Sequence, residues 1–309
     1  MKKIILLLAS ILLVGSAYAA GEKFAFISHA PDSDSWWNTI KNALKHAEKD
    51  MGVKVDYRNP STGDIGDMAR LIEQAAAKNY DGIITTIADY DVLKSAIEKA
   101  TRKGIPVITV NSGTHEQSRM LKAQMHIGQP EYDAGKGAGM RAKDELGSIK
   151  SFLCVNHYAT NPVSFDRCRG FGDAVGLDYK KFTIDSGSDP IEIEKKVLAA
   201  LRKDKIEAIL TLGPTSAHPT LKALESLKMS GKIYFATFDL SGEIAQGIKD
   251  GVINFAIDQQ PFLQGYMPVV ILTLNKRYGL MPGNNINSGP GFVTKDSVEL
   301  VQKLAGEYR

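Results

Sequence analysis

The chain has 309 residues, 43% hydrophobic and 24% charged, with Lys+Arg 38 against Asp+Glu 35 and a formal net charge of +3. That length suits two domains of about 130 to 150 residues each, and the composition excludes a disulfide-dense mini-scaffold, a collagen-like repeat and intrinsic disorder. A near-neutral chain lacks the concentrated basic face that nucleic acid requires, so no nucleic-acid partner is expected.

The first segment reads as an address. Lys2 and Lys3 form a basic start, residues 4–14 are apolar, and Ala17-Tyr18-Ala19 supplies small residues at the exit. This is the pattern of a secretory signal peptide, residues 1–19, cleaved after Ala19. The apolar run is shorter than the roughly 20 residues a bilayer span needs. An exported, soluble product is expected.

From residue 23 onward, short β-branched or aromatic runs alternate with helical stretches. Residues 23–28 predict a strand, and Trp37, Ile40, Leu44, Ala47 and Met51 recur at helical spacing. A strand at 53–57, a helix through Met68, Leu71, Ile72, Ala75 and Ala76, a strand at 82–87, a helix at 91–103 and a strand at 105–110 follow. After a strand at 125–128 the cycle restarts with a helix at 130–146, a strand at 151–155 and a helix at 162–175. Then come a strand at 181–184, a helix at 191–202, a strand at 208–212, a helix through Leu221 and Leu227 and a strand at 233–238. A short helix at 244–248, a strand at 253–257, a helix at 262–278 and a last strand near Phe292 complete the pattern. Such alternation predicts an α/β protein of two doubly wound Rossmann-like domains, each with parallel strands and helices on both faces. No Pro/Ser linker separates the halves, which fits a chain that crosses between domains more than once.

Parallel sheets bind ligands beyond the carboxyl ends of their strands. Those places hold Ser28, then Asp34, Trp36 and Trp37; Thr86; Asn111; Asn156 and His157, with Arg167 a little further on; Gly213; Phe238 and Asp239; and Gln259. Neutral hydrogen-bonding groups, a few charges and flat indoles suit a polyhydroxylated ligand, because carboxylates and Arg pair with hydroxyls while rings cover C–H faces. Bland roles compete: Asp34 or Ser35 also suits a helix cap, one of two adjacent indoles belongs in the core, Asn111 suits a turn, and Arg167 with Asp239 suits a surface ion pair.

Other motifs fail. Gly135-Lys136-Gly137-Ala138-Gly139 lies inside a helical pattern without phosphate-loop spacing, and its small residues suggest close approach of that helix to the sheet. No nucleophile elbow or zinc motif occurs, so no catalytic constellation, metal or cofactor is expected. Cys154 and Cys168 are either two buried thiols or one disulfide. The bridge is the expectation, because Cys154 closes a strand and Cys168 lies early in the helix that packs back on it.

The segments 24–37, 104–113, 166–171, 235–239 and 258–265 resemble the periplasmic sugar-binding proteins of the ribose and galactose type, the type I receptors of bacterial ABC importers. The resemblance implies two lobes joined by a three-segment hinge near 128–129, 259–260 and 287–288. The lobes would comprise 20–128 with 260–287, and 129–259 with 288–309. It implies that Ser28, Asp34, Trp36, Trp37, Thr86, Asn111, Arg167, Gly213, Phe238, Asp239 and Gln259 contact one sugar in the cleft, to which the strand-end reading adds Asn156 and His157. Asn111-Ser112 replaces the Asp-Arg pair of ribose-type members and Gly213 replaces an Asn, which leaves other pentoses, hexoses and polyols open. The expected partners are a monosaccharide or polyol and the membrane permease of an ABC importer, and the expected state is a periplasmic monomer with no enzymatic activity. The alternative implied is a periplasmic sugar receptor for a chemotaxis or sensor-kinase system. A sugar-responsive transcription regulator shares this core, but the signal peptide and the lack of an N-terminal helix-turn-helix oppose it.

Overall fold

The computed structural model describes residues 21–158, 161–305 and 307–309, so the expected signal peptide lies outside the described residues. In chain order the first part runs β1 (Lys23–Ile27), α1 (Trp37–Met51), β2 (Lys54–Arg58), α2 (Ile65–Ala77), β3 (Gly82–Thr85), α3 (Tyr90–Arg102), β4 (Val107–Val110), α4 (His115–Met120) and β5 (Met125–Gly128). The second runs α5 (Glu131–Leu146), β6 (Phe152–Asn156), α6 (Pro162–Val175), α7 (Tyr179–Phe182), β7 (Thr183–Asp185), α8 (Pro190–Lys203), β8 (Ala208–Thr211), α9 (Pro214–Ser226), β9 (Tyr234–Phe238), α10 (Gly242–Lys249) and β10 (Phe255–Asp258). The remainder is α11 (Pro261–Tyr278), β11 (Ile286–Asn287), β12 (Gly291–Thr294) and α12 (Val298–Gln302).

Two six-stranded sheets result, ordered β2-β1-β3-β4-β5-β11 and β7-β6-β8-β9-β10-β12. All pairings are parallel except β12 against β10. The inner strands β3, β4, β8 and β9 are buried along their whole length, because helices cover both sheet faces. Each sheet reverses its winding between its first two sequential inner strands, at β1/β3 and at β6/β8, the crevices where such sheets take ligands. The chain passes between sheets after β5, after β10 and between β11 and β12. After the second passage α11 packs along α1, and its Val269, Ile271 and Leu272 join the core of the first sheet.

Several elements differ from the sequence expectation. The six-residue α4 has no apolar periodicity; a capping box between Thr114 and Gln117 starts it. The strand expected at 181–184 begins two residues later, because Asp178 caps the short helix α7 and strand pairing starts at Thr183. Gly135 and Gly139 of α5 serve a helix rather than the sheet, whereas Gly137 faces Phe292 of β12. A Cβ at Gly135 would overlap the Arg167 carbonyl, and one at Gly170 would overlap the Tyr132 carbonyl, so α5 and α6 touch backbone to backbone.

Cys154 of β6 and Cys168 of α6 form a disulfide with α-carbons 5.9 Å apart. The closed loop is one for which chain entropy gives about 3 kcal/mol. Replacing both residues with Ala should lower the urea-unfolding free energy by about that amount. Alkylation of two thiols in unreduced, unfolded wild-type protein would contradict the bridge.

Candidate functional site

The carboxyl ends of β1, β4, β6, β8 and β9 converge on a cavity of about 270 Å³ between the two sheets. Of the expected contact residues, Asp34, Trp36, Trp37, Asn111, His157, Arg167, Gly213, Asp239 and Gln259 line it. The other four stand one layer behind the wall. The Ser28 hydroxyl is shared with that of Tyr57 at 2.8 Å, and Thr86 Oγ1 lies 3.0 Å from His29 Nδ1. Asn156 Oδ1 accepts the Tyr158 amide at 2.9 Å, and Phe238 lies beneath the Arg167 guanidinium at 4.2 Å. Thr86, Asn156 and Phe238 each contact a residue that does reach the cavity, whereas Ser28 pairs with Tyr57, which does not line it.

Arg167 and Asp239 are buried side by side, so the alternative of a surface pair is excluded. The principal partner of Arg167 is Glu131, the first residue of α5. Arg167 Nε donates to Glu131 Oε2 at 2.6 Å, Nη2 to Oε1 at 2.8 Å, and Nη1 to the Leu212 carbonyl at 2.9 Å. Nη1 also stands 4.0 Å from Asp239 Oδ2. Burial opposes the Arg167 charge, but Glu131 outweighs it and raises the Arg167 pKa above its ordinary value.

Asp239 takes a left-handed backbone conformation, φ 62°, pinned by its amide donating to the Ile257 carbonyl at 2.7 Å. Its Oδ1 accepts Gln259 Nε2 at 2.7 Å. Burial pushes the carboxyl up to about 7 despite the opposing effects of Arg167 and Gln259. Gln259 Oε1 in turn accepts Asn111 Nδ2 at 3.2 Å, and Ser112 Oγ donates to Asn111 Oδ1 at 3.0 Å. A polar chain therefore runs from the first sheet to the second along the floor of the cavity.

The opposite wall comes from the loop after β1. Asp34 Oδ1 accepts the Trp36 amide at 3.1 Å, closing the turn that starts α1 while the carboxylate faces the cavity. Burial raises the Asp34 pKa, partly countered by the Trp36 amide, the Trp37 indole and the Tyr158 hydroxyl. Tyr158 follows β6, so this contact spans the cleft; burial and Asp34 push the phenol up to about 12. Trp37 is 3% exposed and packs into the core, whereas Trp36 is half-buried, its ring 5.2 Å from that of Trp37. One indole is thus mainly structural and the other presents its surface to the cavity.

His29 and His157 complete the wall as neutral rings. Burial holds His29 down at about 4; burial and then Arg167 hold His157 at about 3. Ser216 Oγ lies 3.2 Å from His157 Nδ1, but that hydroxyl also accepts the Leu212 amide and donates to the Gly213 carbonyl. It fixes the ring and has no path to a bound molecule, being fully buried. Among the described residues no group of three or more His, Cys, Asp or Glu could hold a metal ion. Glu131, Tyr158 and His218 line the cavity without having been expected there. Glu131 reads in sequence as an ordinary acid in a first helical turn, and only the α5–α6 contact reveals its partner. The arrangement offers fixed donors, acceptors and one aromatic surface, a chemistry for holding a small neutral polar molecule.

A family model for the periplasmic binding protein domain matches residues 24–275. The chain is 24% identical over 281 residues to the ribose import binding protein RbsB of Haemophilus influenzae, covering 87% of this chain and 92% of that protein. It is 22% identical over 307 residues to the xylose/arabinose-binding protein XylF of Sulfolobus acidocaldarius, covering 90% of this chain and 72% of that protein. Among solved structures, it resembles a carbohydrate transporter from Acidothermus cellulolyticus in complex with myo-inositol, with TM-score 0.85, 31% identity, and 93% and 98% of the two chains covered.

Removing Glu131 should strand the buried guanidinium of Arg167. Glu131→Ala is expected to destabilise the protein by about 3 to 5 kcal/mol in urea unfolding, with Glu131→Gln costing less. A loss below about 1 kcal/mol would mean that solvent reaches Arg167 after all.

Proposed function

This chain belongs to the periplasmic binding protein domain family, whose members are sugar-binding transport proteins rather than enzymes, and from that membership we propose that it captures one monosaccharide or polyol between its lobes and delivers it to an ABC-type importer. The observation that carries this reading is the pair Arg167 and Asp239, buried on one wall of a small cavity and faced from the other lobe by Asp34 and Trp36. The carboxylates accept from sugar hydroxyls, the guanidinium donates to sugar oxygens, and the Trp36 ring covers a C–H face. At about 270 Å³ the cavity falls just below the usual range for ligand pockets, about 300 to 1,000 Å³, which fits a single sugar unit at the buried pair. A second cavity of about 780 Å³ adjoins it along His29, Asp34, Tyr158 and His218.

Contacts from both lobes stabilise the closed arrangement over an open one, so binding and closure are one event. The passages near 128–129, 259–260 and 287–288 are the proposed hinges of lobes comprising 20–128 with 260–287, and 129–259 with 288–309. The proposed mature protein is a periplasmic monomer released by cleavage after Ala19, and its membrane partner is the permease of the importer. The relatives named above, a ribose import binding protein and a carbohydrate transporter bound to myo-inositol, support this reading.

A thermal-shift screen with myo-inositol, D-ribose, D-xylose, L-arabinose, D-fructose and D-galactose tests the reading. A sugar at 100 times its Kd should add about 2.7 kcal/mol of stability. No stabilisation by any of these or by related polyols would overturn it. With the sugar found, Arg167→Ala and Asp239→Ala should each weaken binding by about 10- to 150-fold in calorimetry, the cost of a charged hydrogen-bond partner.

The raised carboxyl of Asp239 sets a pH dependence. Its folded value of about 7 lies above the ordinary 3.8, so the stability it contributes to the unliganded fold is complete below 3.8 and is lost as pH rises to about 7. A sugar hydroxyl donates to the ionised carboxylate, so binding expels a proton. Affinity should therefore rise between about pH 6 and about pH 8, and Asp239→Asn should flatten that rise. His29 and His157, held at about 4 and about 3, stay neutral across this window. A flat wild-type profile would place the ligand away from Asp239.

A further inference from the structure

The family match ends at residue 275, yet the cavity wall includes Arg309. We propose that Arg309 is a ligand-recognition residue, carried into the cavity by a strap that leaves one lobe and docks on the other. The inference rests on the reading of the cavity as a sugar site.

The strap begins in the second lobe, where Val298 and Val301 of α12 are core residues. The chain then folds back, with the amides of Glu307, Tyr308 and Arg309 all donating to the Leu304 carbonyl at 3.2, 2.8 and 3.0 Å. From there it reaches the first lobe. The Tyr308 ring lies 5.1 Å from that of Phe262 on α11 and 5.5 Å from that of His46 on α1. Its hydroxyl is 3.3 Å from His46 Nε2, and Asn42 Nδ2 donates to the Glu307 carbonyl at 3.1 Å.

Tyr308 docked in this way places Arg309 at the second passage between lobes. Arg309 Nη1 pairs with Oδ2 of Asp258, a carboxylate 2% exposed at the end of β10. The other oxygen, Oδ1, accepts the Gln260 amide at 2.8 Å. A guanidinium carries five N–H donors in a rigid fork. Among the described residues Asp258 is the one side-chain partner of Arg309, so most of the fork is left for what enters the cavity beside Gln259 and Asp239. Asp258 balances the charge, and the site gains donors without gaining a net cation. Such a group recognises the hydroxyl and ring oxygens of a neutral sugar. Tyr308 is a positioning residue, because it touches the strap and the first lobe but does not line the cavity.

Calorimetric titration with myo-inositol, D-ribose, D-xylose and L-arabinose of the wild type and of Arg309→Ala, Arg309→Lys, Tyr308→Ala, Tyr308→Phe and Arg167→Ala tests the proposal. Arg309→Ala should weaken the best of these sugars by about 10-fold or more. Arg309→Lys keeps a cation beside Asp258 but loses the fork, and should also bind more weakly at an unchanged melting temperature. Tyr308→Ala should lose affinity in the same direction, and Tyr308→Phe, which keeps the docked ring, should recover it. Wild-type affinity in both Arg309 variants, with binding lost in Arg167→Ala, would overturn the role of Arg309 and leave the cavity reading intact. Unchanged binding in Arg167→Ala as well, or no sugar bound by the wild type, would overturn the cavity reading and this inference together.

Discussion

The site depends on one buried ion pair, the two-pronged contact of Arg167 with Glu131. A guanidinium this deep survives only if its charge and its donors are met, and a single missing partner costs several kcal/mol. Glu131 meets two donors, the Leu212 carbonyl a third, and the face of Phe238 covers the plane from below. The orientation of Arg167 is therefore set before any ligand arrives. That geometry exists because Gly135 and Gly170 let α5 and α6 meet backbone to backbone, which brings the first turn of one helix against the second turn of the other. A side chain at either position would force the helices apart and separate the pair.

A second constraint couples the lobes. The polar chain Ser112–Asn111–Gln259–Asp239 crosses from one sheet to the other at the passage after β10. Asn111, Asp239 and Gln260 all adopt left-handed backbone conformations there, at φ 59°, 62° and 54°. Each costs about 1 to 2 kcal/mol for a residue with a side chain, and each persists because surrounding contacts fix it. Gln264 adds a brace, donating to Gln259 and to Ser288 Oγ at 2.9 Å and so tying the second passage to the third. With these passages as the proposed hinges, the Gln264 contacts hold the second and third together while the lobes close on one molecule.

Much of this was legible in the sequence, and the rest was hidden for physical reasons. The alternation of strands and helices follows from local periodicity, and the rule that ligands sit at strand ends located Asp239, Arg167, Asn111 and Gln259. Periodicity reports on the two faces of an element, so it cannot tell a wall residue from the residue one layer behind it. Ser28, Thr86, Asn156 and Phe238 occupy strand ends yet support neighbours instead of lining the cavity. Glu131, Tyr158 and Arg309 were invisible because each enters through packing between elements distant in the chain. The glycine run of α5 reads in sequence as a close approach to the sheet, but Gly135 and Gly139 meet α6 and Gly137 alone meets a strand residue, Phe292, a distinction that only the third dimension holds.

The most direct test is a crystal structure of the protein with whichever sugar stabilises it. The sugar should lie between Trp36 and the buried pair of Arg167 and Asp239, with its oxygens within hydrogen-bond distance of both charged groups and the Glu131–Arg167 contact unbroken. A sugar bound outside this cavity, or an Arg167 that releases Glu131 to reach it, would contradict the claim that the site is built and held in place before the ligand binds.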